Sequence, residues 1–350
     1  MSLSQKLIQW YQVNHRDLPW RHSTNPYFIW LSEIILQQTR VDQGMAYYLR
    51  FTERFPTVED LAHAEEQEVL KLWQGLGYYS RARNLHKSAK TIVDDHLGVF
   101  PADYNSLLQL KGVGDYTASA IASHAFGLAH AVVDGNVYRF LSRYFGIEQP
   151  IDIGKNQKYF KKLAQEILDS KHPGIHNQAI MEFGALQCKP KAPDCTLCPL
   201  KDDCQALAYD KVDLLPIKQG KTKIRNRYFN YIVVKDNKGD IIMKKRQAKD
   251  VWQNLFDFPL IETNEPVEPI DVLKTASFIS LFGEITYSIK KVFPPQIHLL
   301  SHQKLHLQFI QLKQENGMLK DPIEKYSSLD LNKLPLPKPI EKFLDQLFNP

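Results

Sequence analysis

A carboxylate set in an apolar run is the first feature of the chain that could do chemistry. In Leu31 to Arg40, LSEIILQQTR, Glu33 is preceded by Ile29, Trp30 and Leu31 and followed by Ile34, Ile35 and Leu36. On a helix it has almost no polar face to turn to. An apolar setting penalises the ionised form, so this position predicts a carboxyl that keeps a proton near neutrality and can act as a general acid. A second acid lies in Val132 to Gly146, VVDGNVYRFLSRYFG, where Asp134 follows apolar residues and precedes a helix. Taken alone it reads as an N-cap. Taken with Glu33 it completes a pair suited to breaking a glycosidic bond, in which one carboxyl protonates the leaving group and the other faces an oxocarbenium-like sugar.

Two further motifs carry chemistry. Leu110 to Ala125, LKGVGDYTASAIASHA, ends one helix, turns through Gly112-Val113-Gly114 and starts another with Thr117 in its first turn. Glycines at Gly112 and Gly114 let the backbone approach a phosphate, and the helix N-terminus favours an anion, so the motif reads as a grip on DNA independent of base sequence. All four cysteines fall between Cys188 and Cys204, as C-x6-C-x2-C-x5-C through Cys195 and Cys198. Two disulfides, a four-thiolate zinc site and an iron-sulfur cluster compete for them. A reducing cell disfavours the first. Structural zinc usually shows two close pairs, whereas uneven loops suit a cubane, so spacing favours iron-sulfur over zinc.

The elements that must position these residues are mostly helical. Up to about residue 210 apolar periodicity predicts helices over 3–13, 26–37, 41–54, 65–74, 80–95, 115–126, 136–145, 155–169 and 173–187. Asn25-Pro26 supplies a cap and a first-turn proline, and Gly98 and Gly127 are stops. After Pro216 the texture changes to strands over 228–234 and 241–246 around an Asn-Lys-Gly turn, with further β-like runs at 278–288 and 305–312. At 350 residues, 43% hydrophobic and 24% charged, the chain is expected to form two globular domains. No run of about eighteen apolar residues predicts a membrane span, and the first residues do not read as a secretory or transit leader, so an intracellular location is expected, cytoplasmic or in a bacterial nucleoid. The net charge of +5 leans mildly towards a polyanionic partner. Lys218 to Arg227, KQGKTKIRNR, holds five basic residues and no acid; beside a DNA-binding module it reads as a linker that contacts phosphate.

With these motifs assembled, the chain resembles the adenine DNA glycosylases of the MutY type, within the helix-hairpin-helix glycosylases that also include endonuclease III. The likeness runs from LPWR (Leu18 to Arg21) through LSEIILQQTRV, GLGYYSRARNL (Gly75 to Leu85), GVGDYTA and VVDGNVYR to the four cysteines. It implies an all-α helix-hairpin-helix catalytic domain at 1–215, including an iron-sulfur loop at 188–204, a basic linker at 216–227 and an α+β MutT-like (Nudix-fold) domain at 228–350. It implies excision of a flipped adenine opposite 8-oxoguanine or guanine, with Glu33 as acid, Asp134 as the anion at C1′, Tyr116 bonded beside them and Asn136 orienting water or carboxylates. Trp20, Arg21 and Leu36 match residues lining the adenine pocket, and Gln38 and Tyr78 those that wedge into the duplex. Cys188, Cys195, Cys198 and Cys204 would hold a 4Fe-4S cluster. Where the lyase branch of these enzymes carries a nucleophilic lysine, this chain has Tyr116, which implies a monofunctional enzyme.

The C-terminal part lacks the R-E-x-x-E-E-x-G cassette of a pyrophosphohydrolase, so no catalysis is assigned to it. In Leu299 to Phe309, LLSHQKLHLQF, Leu300-Ser301-His302 stands where the family has Phe-Ser-His, and Ser301 and His302 are expected to hydrogen-bond 8-oxoguanine and its phosphate. The implied partners are double-stranded DNA with adenine opposite 8-oxoguanine or guanine, and replication or abasic-site repair proteins; a monomer and no membrane association are expected. A bifunctional pyrimidine-lesion glycosylase/lyase and a non-catalytic damage-binding protein are the competing readings.

Overall fold

The computed structural model describes all residues except 221–223, 236–238, 284–285, 317–324 and 349–350. It divides into two compact units, one of residues 1–63 and 84–220, the other of residues 64–83 and 221–350. Along the chain the helices run α1 (Leu3–Asn14), α2 (Pro26–Leu36), α3 (Val41–Arg54), α4 (Val58–His63), α5 (Glu66–Leu72) and α6 (Ser80–His96). They continue as α7 (Tyr104–Gln109), α8 (Asp115–Phe126), α9 (Gly135–Tyr144), α10 (Gly154–Glu166), α11 (Pro173–Leu186) and α12 (Gln205–Ala208). Each helix expected from periodicity is present. The short α4 and α7 carry too few turns to show a period, and are set by polar caps: the Asp103 carboxylate accepts the Ser106 N–H at 2.9 Å to start α7.

The first unit is helical. Leu7 and Tyr11 of α1, Val137, Phe140 and Leu141 of α9, Phe160 and Ala164 of α10, and Ala179, Ile180 and Phe183 of α11 share one buried core. Gly184 of α11 marks a close approach of backbones, since a Cβ there would lie 2.6 Å from the Asn136 carbonyl oxygen. That contact fixes the start of α9, where Asp134 and Asn136 stand.

The second unit has a five-stranded sheet from β1 (Arg225–Val234), β5 (Leu260–Thr263), β6 (Thr286–Val292), β7 (Gln296–Leu299) and β8 (Gln303–Asn316), in the order β5-β1-β8-β6 with β7 also paired to β8. The short strands β2 (Ile241–Ile242), β3 (Lys244–Lys245), β4 (Phe256–Asp257) and β9 (Lys325–Tyr326) pair as β2-β9 and β3-β4. Both sheet faces are covered. On one face Phe229 packs on Tyr231, Tyr231 and Phe309 pack on Phe258, and Phe309 and Phe258 pack on Phe343 of α16 (Lys338–Phe348). Ile232, Val234, Ile310 and Leu312 pack with Val272 of α13 (Pro269–Val272) and with Phe278 and Phe282 of α14 (Ala276–Phe282). One further helical turn, α15, spans Ser328–Leu331.

Three expectations change here. The β-like run at 278–288 begins as helix α14, because the Thr275 hydroxyl accepts the Phe278 N–H and Phe278 and Phe282, four residues apart, stack at 4.8 Å. The 241–246 run breaks into β2 and β3. Asn237 and Lys238 of the expected turn lie outside the described residues. Strand β1 starts at Arg225, inside the stretch read as linker, because Arg225 to Arg227 pair with Gln303 to Leu305.

Candidate active site

Helix α2 begins at a local signal: the Asn25 side chain accepts the Tyr27 N–H at 2.9 Å and Pro26 occupies the first turn. Trp30, Leu31 and Ile35 are fully buried around it. Glu33 occupies the remaining narrow face, which opens on a cavity of about 480 Å³ lined also by Trp20, Arg21, Leu36, Tyr116, His124, Asp134 and Glu182. Residues separated by a hundred positions therefore meet around one carboxyl. Trp20 is 8% exposed and packs edge-on against Tyr48, with ring centroids 5.1 Å apart.

Tyr116 reaches the cavity from the first turn of α8, where its hydroxyl hydrogen-bonds the Glu33 carboxyl and lies 3.6 Å from Met181 Sδ. Asp134 is the N-cap of α9: Oδ1 accepts the N–H groups of Asn136 and Val137 at 2.9 and 2.8 Å. Its Oδ2 accepts Asn136 Nδ2 at 2.7 Å. The cap and the site are the same residue, because the bonds that start the helix also fix the carboxylate against the cavity. Asn136 is held in turn by Arg139, which donates to Asn136 Oδ1 at 2.9 Å and to the Cys188 carbonyl at 2.8 Å.

Burial acts on both acids in the same direction. Burial, with a contribution from the nearby Asp134 charge, pushes Glu33 up to about 7, against the lowering effect of Tyr116 and Arg21. Burial also raises Asp134, opposed by the hydrogen bonds from Val137 and Asn136. His124 in the cavity wall is pushed down to about 4 by burial, so its imidazole is neutral at pH 7.

Sequence reasoning missed Glu182. It is 1% exposed on α11, and its carboxylate accepts Arg16 Nε and NH2 at 2.8 and 2.7 Å and Arg21 NH1 and NH2 at 3.1 and 2.6 Å. These bonds overcome burial and hold it down at about 2. The signal was available: Glu182 sits between Ile180, Met181 and Phe183, the same pattern that singled out Glu33.

At the hairpin, Gly112 takes φ +83°, and a Cβ would meet Asn84 Cβ at 2.8 Å. Gly114 is the N-cap of α8, with open space where its Cβ would be. Thr117 does not join this surface: it is 1% exposed and its hydroxyl accepts Gln37 Nε2 at 3.3 Å. Gln38 is exposed just beyond α2 with φ +56°, and Tyr78, in the second unit, is 45% exposed with φ +48°. Left-handed backbone costs a non-glycine residue about 1–2 kcal/mol, and such strain tends to collect at functional sites.

In the second unit, the Tyr78 hydroxyl hydrogen-bonds Ser301 Oγ. Both line a cavity of about 440 Å³ with Arg83, Asp250, Trp252, Leu300, His302 and Gln303. The turn is closed by Leu300 N–H to the Gln303 carbonyl at 2.8 Å, and Arg225 N–H donates to the His302 carbonyl at 2.9 Å. Two distant motifs of the sequence thus share one site.

Cys188, Cys195, Cys198 and Cys204 all line a small apolar cavity beside Phe140, Phe183 and Leu200. Arg143 NH1 points at Cys188 Sγ from 3.5 Å. Burial pushes the Cys198 thiol up to about 11, so thiolates there require a cationic group among them. Four sulfurs in an apolar pocket fit a cluster held by thiolates. Among the described residues no three His, Cys, Asp or Glu side chains form a site for a single metal ion.

Residues 31–188 match the family model of the HhH-GPD superfamily base excision DNA repair proteins, and residues 230–346 that of the NUDIX domain. An adenine DNA glycosylase of Buchnera aphidicola subsp. Acyrthosiphon pisum is 33% identical over 353 residues, spanning 98% of this chain and 96% of the relative. The human adenine DNA glycosylase is 44% identical over 209 residues, covering 57% of this chain and 38% of its own length. The solved structure of a thermostable thymine-DNA glycosylase superposes with a TM-score of 0.55 at 29% identity, over 59% of this chain and 95% of that one. A non-covalent endonuclease III-DNA complex, at 24% identity and TM-score 0.51, shares the fold. Among the described residues no helix is long and apolar enough to cross a membrane.

Proposed function

The chain belongs to the adenine DNA glycosylases, base excision repair enzymes that hydrolyse N-glycosyl bonds, and we propose that its substrate is adenine opposite 8-oxoguanine or guanine in duplex DNA. One observation carries the chemistry: Glu33, Tyr116 and Asp134 line a single cavity, and the protonated form of Glu33 persists to about pH 7. The glycosidic bond is shielded inside the stack, so the adenosine is flipped into this cavity. Glu33 gives its proton to adenine N7, and the C1′–N9 bond breaks with the electron pair leaving on the base. Asp134 Oδ2, held by Asn136, faces the oxocarbenium carbon. The ionised Glu33 then takes a proton from the water that adds to C1′. Free adenine and an abasic site result.

No amine stands at position 116, so the reaction ends at the abasic site. We assign the 8-oxoguanine contact to Ser301 and His302, the wedges to Gln38 and Tyr78, and the phosphate grip to Gly112 and Gly114. Trp20, Arg21 and Leu36 form the wall against the base. We take residues up to 215 as the catalytic part, apart from 64–83, which belong to the second unit, the stretch from 216 to the start of β1 at Arg225 as the linker, and the rest to 350 as the lesion-reading domain, acting as an intracellular monomer beside replication or abasic-site repair proteins. Cys188, Cys195, Cys198 and Cys204 would hold a 4Fe-4S cluster, which when bound fastens the 188–204 loop and offers an electron-exchange centre. Iron and acid-labile sulfide, with absorbance near roughly 410 nm, should accompany the purified protein; stoichiometric zinc without iron rejects that assignment.

Single-turnover cleavage of duplexes with adenine opposite 8-oxoguanine, adenine opposite guanine and cytosine opposite 8-oxoguanine tests the substrate. Excision is expected from the first two alone, fastest from the first. Borohydride should trap no covalent protein-DNA adduct; a trapped adduct would overturn the monofunctional mechanism.

A further inference from the structure

A strap that binds phosphate would leave its guanidinium in solvent, yet the Arg227 side chain, last in the basic 218–227 stretch, is only 8% exposed. All five of its N–H donors are used within the second unit. Nε and NH2 donate to the Glu262 carboxylate, both at 2.7 Å. NH1 and NH2 donate to the Asp250 carboxylate at 2.8 and 2.6 Å. The remaining NH1 hydrogen goes to Gln303 Oε1 at 3.0 Å. Phe229 lies against the guanidinium, 4.7 Å from its ring centre.

The three acceptors come from three segments: Glu262 from β5, Asp250 from the loop after β3, and Gln303 from the first residue of β8. Asp250 is also bound by Arg246, which donates to Asp257 and to the Val251 carbonyl, so the 250–252 loop is tied at two points. Asp250 and Gln303 both line the cavity that holds Ser301, His302 and Tyr78. One planar cation therefore joins two segments of that wall to a sheet strand.

We propose that Arg227 is a positioning residue for lesion discrimination: by binding Asp250 and Gln303 together it sets the Ser301–His302 turn against the 250–252 loop. The inference rests on the proposed reading of 8-oxoguanine by Ser301 and His302. A lysine would keep the charge but offers three donors without the fork that binds two carboxylates side by side. Arg227 reaches the turn through the Gln303 bond. A hydrogen bond to a charged group is worth about tenfold or more in an equilibrium constant.

The test uses the full chain as wild type, Arg227→Lys, Gln303→Met and Gln303→Glu, and measures Kd for duplexes with an uncleavable adenine analogue opposite 8-oxoguanine and opposite guanine. The preference for 8-oxoguanine is expected to fall about tenfold in Arg227→Lys and Gln303→Met, and to return in Gln303→Glu, which restores an acceptor. Gln303→Met keeps both ion pairs, so it reads the link to the turn even if Arg227→Lys folds poorly. A preference unchanged in Gln303→Met, or both affinities falling together, overturns the inference. A wild type without any preference overturns the 8-oxoguanine reading and the inference with it.

Discussion

Replacing Glu33 by Gln keeps the shape of the side chain and removes its proton chemistry. The size of the effect follows from burial: a carboxyl raised from 4.5 to about 7 is protonated in about half the molecules at pH 7, against about 0.3% at its ordinary value, a gain of roughly 150-fold in competent acid. The acid must be protonated to act, so the wild-type single-turnover rate should lose about tenfold per pH unit once pH rises through 7. Burial raises the Asp134 carboxyl as well, so the test is read on the descending limb, where Glu33 loses its proton. Glu33→Gln should lower the rate by about 10²–10⁴-fold and abolish the descending limb. Duplex binding should stay near wild type, since phosphate contacts are untouched. The assay is pre-steady-state cleavage at saturating enzyme from pH 5 to 9. A descending midpoint near pH 5, or a variant that keeps about a tenth or more of the wild-type rate, would refute the assignment.

Tyr116→Phe removes a hydrogen bond that lowers Glu33, so the descending limb should move to higher pH; a limb that stays put or moves down in the same profile contradicts the contact. Glu182→Gln leaves Arg16 and Arg21 without their carboxylate and should destabilise the chain by roughly 3–5 kcal/mol, read as the shift in denaturant midpoint. Because the folded value of Glu182 is about 2, below the ordinary 4.5, that stabilisation is fully present above pH 4.5 and fades as pH falls towards 2. Gly184→Ala forces a Cβ to within 2.6 Å of the Asn136 carbonyl and should cost about 1–3 kcal/mol and lower kcat more than it raises KM; unchanged kcat would show that α9 yields without moving Asp134.

Long helices were legible because a buried face repeats every 3.6 residues, and α1, α2, α3, α8 and α11 lie within about a turn of their expected bounds. The 278–288 run misled because Phe, Ile and Leu serve a strand or a helix equally; Thr275 and the four-residue spacing of Phe278 and Phe282 decide for helix. Thr117 and Arg227 read as contacts for DNA from their types and neighbours. Both turn inward, Thr117 to Gln37 and Arg227 to three acceptors 23 to 76 residues away.

The two glutamates set in apolar runs mark the division most sharply. Apolar neighbours on both sides in the chain turn Glu33 and Glu182 towards the protein interior. They do not determine the charge that follows. Glu33 meets a tyrosine and another carboxyl and holds its proton to about pH 7, whereas Glu182 meets two arginines from more than 160 residues away and stays ionised to about pH 2. Desolvation acts on both alike; the sign of the outcome comes from the partners, and only the tertiary structure supplies those.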